Sequence, residues 1–473
     1  MNKSKSKLYS LTDPKHWIAP TIRLHGGGLN KFGAARHHLT TEKIDGVPVA
    51  ELVSRFGSPL FVISEKRLRE NARRLKRAFA TRWPQVINAW SYKTNYLGAV
   101  CNTLHQEGYW AEVVSAFEYE KARLLGVPGN RIIFNGPCKL RAALRQAAEE
   151  GARIHLDSLD ELYLLEEVAR ELGKIVPVAM RLNFDTGYTD PWSRFGFNLE
   201  TGQALDCARR IGASSHLRLA GLHTHLGTFV TDTRAYAAAV RILTAFMDTV
   251  EEQTGTVIEY LDLGGGFASK NAMQGVYLPP EQLVPSAEQY AEAVCDALMA
   301  GTREREARGL TRPTLILETG RAVVDDAVSL VASVVANKRL PDGRRGTVLD
   351  AGVNLMFTAF WYNHDVRPVR RPDGIAEETV LYGPMCMNID VMRQSIQIPP
   401  LSVGDLLVFN PVGAYNNTQW LQFIEYRPNV AMVLENGKVE VVRVREDLAV
   451  VIGQERLPPS LSLPFPEERD ANV

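Results

Sequence analysis

The chain has 473 residues, 45% hydrophobic and 23% charged, and its 54 Lys+Arg balance its 54 Asp+Glu. A formal charge of zero removes the electrostatic case for nucleic acid or an anionic membrane as partner, and no apolar run reaches the ~18 residues that would span a bilayer. The basic N-terminus, MNKSKSKLYSLTDPKHW, is followed by no apolar segment and does not read as a secretory signal. The five cysteines are scattered and form no CxxC pair, which argues against a disulfide framework or structural zinc and fits a cytoplasmic protein.

From about residue 60 to 320 apolar, strand-like runs alternate with amphipathic ones. The strand-like runs are PLFVIS (59–64), QVINAWSY (85–92), WAEVV (110–114), RIIFN (131–135), RIHLDS (153–158), VPVAMRLN (176–183), LRLAGLHTH (217–225), IEYLDLGGG (258–266) and PTLILET (313–319). Between the first two, Leu68, Ala72, Leu75 and Phe79 recur at helical spacing. Segments 118–125, 140–150, 160–172, 236–252 and 287–298 have the same period. Strand and helix repeated in this way predict parallel strands with crossover helices, and the count favours a closed (β/α)8 barrel. After about residue 325 short β-branched runs separated by Gly, Pro, Asp and Asn predict a mostly antiparallel β domain. Within it VLENGKVEVVRV carries an Asn-Gly hairpin signal. The expected organisation is an N-terminal extension (1–57) that partly joins the β domain, a barrel (58–325), the β domain (326–455) and a loose tail (456–473).

The candidate chemistry clusters just after the strands. Lys93 in WSYKTN ends a strand-like run. There a lysine is either solvated and inert or a nucleophile toward an aldehyde cofactor. Such a cofactor needs close backbone N–H groups for its phosphate, an acid for its pyridine nitrogen and a flat group against its ring. LDLGGGF offers Gly264, Gly265 and Gly266, an anion nest or simply a tight turn. ILETGR offers Glu318 as the acid, with Gly320 and Arg321 as phosphate ligands, or else a salt-bridged strand end. GLHTHLGT offers His223 and His225, whose spacing suits a core histidine, a stacked ring or a metal pair, though no nearby Asp, Glu or Cys is expected to join them. GPMCMNID holds Cys386 and GAYNN holds Tyr415; each has a plain packing reading as well.

Taken together and in order, SYKTN, AEVVSAFE, IIFNGPCK, RFGF, GLHTHLGT, LDLGGGF, ETGR, GPMCMNID and GAY resemble the motifs of the fold-type III pyridoxal-phosphate decarboxylases, which include diaminopimelate, ornithine and biosynthetic arginine decarboxylases. The resemblance runs from about residue 58 to 430. It implies an alanine-racemase-like barrel with a β domain, pyridoxal 5'-phosphate as cofactor, no metal, and a head-to-tail homodimer with its active sites at the interface. It also implies that Lys93 forms a Schiff base with the cofactor, that His225 stacks on its ring and that Glu318 pairs with its nitrogen. Thr228, Gly264, Gly265, Gly266, Gly320, Arg321 and Tyr415 would surround the phosphate. Cys386 of a second subunit would return the proton after CO2 leaves, and Glu112 and Arg181 match further positions near the cofactor.

The departures from the family pattern bear on substrate. Thr319 replaces the usual Pro of ETGR, and Thr228 the usual Ser. Met387 follows the motif cysteine where an acid is usual, and Phe357, Thr358 and Ala359 stand where diaminopimelate decarboxylases carry an Arg-Pro pair. The expected substrate is therefore a non-standard amino acid, carboxylate-rich or conjugated, of the kind used in specialised or siderophore biosynthesis. The alternatives are diaminopimelate decarboxylation in lysine biosynthesis and amino-acid racemisation.

Overall fold

The computed structural model describes residues 40–461; the predicted tail beyond 461 and most of the predicted N-terminal extension lie outside them. Eight parallel strands form the expected barrel: Val86–Ser91, Trp110–Val113, Ile132–Phe134, Arg153–Leu156, Val176–Asn183, Leu217–Thr224, Tyr260–Asp262 and Thr314–Thr319. It closes through pairing of Leu217–Thr224 with Val176–Asn183, and Thr314–Thr319 pairs back onto Val86–Ser91. The interior layer is apolar and small, built from Ala89, Ile133, Ala179, Ala220, Tyr260 and Ile316. The Arg153 guanidinium adds to this packing, between the rings of Trp110 (4.7 Å) and Tyr260 (4.8 Å).

The helices follow their sequence cues. In Glu65–Ala80 the face read from the sequence, Leu68, Ala72, Leu75 and Phe79, is the buried one, and Ser64 caps the N-terminus by accepting from the Arg67 N–H at 3.0 Å. Ala287–Gly301 opens with a reciprocal capping box between Ser286 and Gln289. The helix Gln203–Ala213 is not among the predicted segments. Its buried face is Ala204, Cys207, Ala208 and Ile211.

One strand-like run is reassigned. PLFVIS, counted with the barrel run, forms strand Leu60–Ser64 in the second sheet, antiparallel to Val328–Arg339 and parallel to Val430–Val433. The other eight runs are the barrel strands. The β-domain sheet runs in the order Val391–Ile398, Glu377–Tyr382, Arg345–Leu349, Val328–Arg339, Leu60–Ser64, Val430–Val433, Val439–Arg443, and the last two form the Asn-Gly hairpin. Most of its pairings are antiparallel, as expected. Helix Val49–Phe56 places Val49 and Leu52 against this sheet, beside Leu60, Val331 and Val433.

A buried polar joint links the two domains. His364 lies 2.9 Å from Thr358 Oγ1 and 2.6 Å from the Pro411 carbonyl oxygen, and Thr358 also meets Asn416 Oδ1 at 2.8 Å. Asp325 accepts from Ser269 Oγ and from the Ala414 N–H (3.2 Å). Burial depresses His364 from the ordinary 6.5 to about 4, against the opposing pull of Asp325. A histidine whose folded value is lowered favours the fold above its unfolded value, and that contribution is lost as pH falls through the folded one. Denaturation midpoints measured from pH 7 to pH 4 should therefore show a loss of about 3 kcal/mol that His364→Gln largely removes.

Candidate active site

The C-terminal ends of the barrel strands surround a cavity of about 300 Å³. Lys93 follows strand Val86–Ser91 in a single 3-10 turn, Tyr92–Thr94. Its Nζ donates to Glu112 Oε2 at 2.7 Å, and the side chain stays 35% exposed toward the cavity. Glu112, fully buried on the neighbouring strand, also accepts from Ser91 Oγ (2.5 Å) and Asn135 Nδ2 (3.0 Å). Burial works against the Lys93 ammonium. Glu112, then Glu318 and Tyr415, outweigh it and hold the amine above its ordinary value.

The β domain holds this turn in place. Tyr415 N–H donates to the Thr94 carbonyl (2.8 Å), Thr418 Oγ1 to the Lys93 carbonyl (2.9 Å), and Asn95 Nδ2 to the Gly413 carbonyl (3.1 Å). Tyr415 itself sits at φ +67°, a left-handed backbone costing ~1–2 kcal/mol outside glycine, imposed by these contacts. Its ring and those of Phe229 and Tyr362 enclose the Arg321 guanidinium at 5.1, 5.6 and 4.8 Å. Arg321 faces Asp325 at 3.7 Å, yet its Nε and Nη1 are buried without a hydrogen-bond partner.

Glu318 ends strand Thr314–Thr319 and is 4% exposed. Its Oε1 accepts from Asn135 Nδ2 at 2.5 Å, and its backbone N–H donates to the Gly264 carbonyl at 2.8 Å. Burial, then Asp262 and Glu112, push it well above the ordinary carboxylate range, and burial pushes Asp262 up to about 7. The His225 ring accepts from the Gly265 N–H at 3.0 Å. The glycine loop is packed so closely that a Cβ on Gly264 would strike His225, one on Gly265 the Glu318 carbonyl and one on Gly266 the Gly227 carbonyl.

Residues 65–325 match the pyridoxal-binding domain of the pyridoxal-dependent decarboxylases. By sequence the chain is similar to the diaminopimelate decarboxylase of Methanocaldococcus jannaschii, 30% identical over 438 residues that cover 88% of this chain and 95% of that one. It is also similar to the diaminopimelate decarboxylase of Bacillus subtilis (strain 168), 28% identical with 89% and 95% covered. The solved structure of the M. jannaschii enzyme with L-lysine has a TM-score of 0.81 to this chain at 28% identity, covering 89% of this chain and 96% of that one. The chain belongs to the pyridoxal-dependent decarboxylases.

The residues present suit the cofactor this family uses. A partly exposed lysine amine, a carboxylate at the cavity floor, a glycine loop that no side chain could enter and a caged guanidinium with two unpaired nitrogens are the groups a phosphorylated pyridine aldehyde needs. Lys93, His225, Glu318, Glu112 and Arg181 all line one cavity. Gly264 to Gly266 stand beside it, and Thr228 is exposed on the neighbouring loop. Cys386 is not among the cavity walls. It is exposed on a loop pinned by Asp390, which accepts from the Met385 and Val353 N–H groups, both at 2.8 Å.

The metal reading needs correction. His223 and His225 were expected to have no acidic neighbour, but His223 Nε2 lies 3.7 Å from Glu318 Oε2. With His155, these two residues bring three potential ligand atoms within 4.8 Å of one another. His225 is instead engaged with the glycine loop. Asn135, His155, Trp192 and Arg194 also belong to the site without having been singled out in the sequence. Asn135 and Arg194 lie inside the quoted segments IIFNGPCK and RFGF or beside them, so the signal was present.

Gly265→Ala should cost about 1–3 kcal/mol in thermal denaturation, because the backbone oxygen it strikes cannot move aside. Gly98→Ala, which meets only Leu125 Cδ2 at 3.5 Å, should be neutral or stabilising.

Proposed function

We propose that this decarboxylase acts on an amino acid with a second carboxylate at its far end, and that diaminopimelate is the first substrate to test. The similarity to diaminopimelate decarboxylases supports this reading. The observation that carries it is in the cavity wall. Phe195 lies between two guanidiniums, Arg181 at 4.3 Å and Arg194 at 4.7 Å from its ring. Arg194 has no ion-pair partner among the described residues, and both cavity-lining carboxylates, Glu112 and Glu318, are engaged within the site. Such a wall attracts an anion and offers nothing to a distal amine.

A larger, conjugated acid is the second reading, favoured by Thr358 and Met387. Thr358 is 1% exposed and bonded into the His364 joint, so it offers no contact to a substrate. Met387 presents a thioether where an acid would read an amine.

The bound cofactor supplies an electron-withdrawing ring that accepts the electrons left when CO2 departs. Glu112 Oε2 is placed to take the proton that Lys93 must lose before its amine can act. Glu318 would pair with the pyridine nitrogen, whose positive charge would offset the burial that otherwise favours the protonated acid. Arg321 and the N–H groups of the glycine loop would bind the phosphate, and His225 would lie against the ring. Trp192, with its ring 5.4 Å from His225, lines the cavity beside it. Cys386 is assigned to the site of a second copy in a head-to-tail dimer, where its thiol would return the proton to the product carbon. All five cysteines are free thiols, Cys386 among them.

CO2 release should be measured against meso-diaminopimelate, lysine, ornithine, arginine, glutamate and citrate-conjugated amino acids. Release from diaminopimelate supports the first reading and release confined to conjugates the second. Release from lysine or ornithine alone overturns both. Lys93→Ala should abolish the visible absorbance of the lysine-bound cofactor and cut turnover by ~10³-fold or more. Arg194→Gln should raise KM about 10- to 100-fold for a substrate with a distal carboxylate and leave kcat within about threefold.

A further inference from the structure

Beneath the cavity a column of buried polar side chains runs from the glycine loop to Glu318. Asp262 Oδ1 accepts from the Gly264 N–H at 2.8 Å. Its other oxygen, Oδ2, faces His155 Nδ1 at 4.0 Å. His155 Nε2 lies 3.3 Å from Tyr260 OH, and its ring centroid is 4.9 Å from that of His223. His223 Nε2 in turn faces Glu318 Oε2 at 3.7 Å. All four links are at most 4% exposed.

The column is short of hydrogen bonds. Both ring nitrogens of His223, Nδ1 of His155 and Oδ2 of Asp262 are buried without a partner. A buried polar atom without a partner carries its full desolvation cost, so four such atoms in one column are not accounted for by packing. Burial, with Arg181 and each other nearby, keeps both imidazoles neutral, and a neutral imidazole can donate from one nitrogen only. Glu318 already uses Oε1 to accept from Asn135. What remains is Oε2, which faces His223 Nε2 at 3.7 Å.

We propose that His223, backed by His155, is a positioning residue for Glu318. With its proton on Nε2, His223 steadies the second carboxylate oxygen, while Asn135 steadies the first. The carboxyl group is then held in the orientation that would face the pyridine nitrogen. Through His155 and Asp262 the same column reaches the Gly264 N–H, so the two ends of the cofactor site are set by one connected group. This deepens the proposed role of Glu318 and rests on it.

The test uses the purified holoenzyme and reads cofactor affinity and the absorbance band of the bound cofactor, with turnover as a third measure. His223→Leu should weaken pyridoxal 5'-phosphate binding about tenfold and shift the absorbance band. His223→Gln, whose amide reaches as far as the imidazole, should restore both, and His223→Asn, which falls short, should not. Glu318→Gln separates the two layers of the argument. If it leaves affinity and absorbance unchanged, the reading of Glu318 fails. If it alters them while His223→Leu does not, only the present inference fails. Should the leucine variant not fold, the glutamine and asparagine pair decides. Metal analysis of the same preparation provides a second route to refutation. Stoichiometric zinc lost in His155→Leu and His223→Gln would mean that the ring nitrogens bind an ion and not the carboxylate.

Discussion

Three carboxylates share the mouth of a closed barrel, and most of the site follows from having to keep them there. Glu112, Asp262 and Glu318 are each at most 4% exposed, and burial, with acidic neighbours added, raises the proton affinity of Asp262 and Glu318. Charges so placed persist only where fixed donors replace water. Ser91, Lys93 and Asn135 serve Glu112; Asn135 serves Glu318 as well; the Gly264 N–H serves Asp262. Asn135 thus sits at the centre of the arrangement, its one amide shared between two acids.

That requirement explains why the barrel does not stand alone. The turn carrying Lys93 is held by side-chain and backbone groups of the loop at 413–418, from the β domain. The same loop orients Tyr415 against Arg321 and receives the Ala414 contact to Asp325. Lys93 and Arg321 are therefore braced by the β domain, while Glu112 and Glu318 stand on barrel strands. The joint built on His364 and Thr358 continues this seam away from the cavity.

Much of this was legible in advance where a residue's own neighbours in sequence decide its place. The strand–helix alternation, the buried face of Glu65–Ala80 and the Asn-Gly hairpin depend on local periodicity and turn chemistry. Leu60–Ser64 was misplaced because a strand buried on both faces reads the same in either sheet.

By itself the sequence determined the architecture and the pyridoxal-dependent family, and it marked Lys93, Glu318, Gly264 to Gly266 and Arg321 as candidates, since each stands in a motif at the end of its own strand. Only the tertiary structure decided which of those groups meet. His155 faces His223, Arg194 and Arg181 share the Phe195 ring, and Asn135 bridges Glu112 and Glu318 because barrel closure brings the ends of separate strands to one point. Those pairings depend on strand register and closure, which local pattern does not encode.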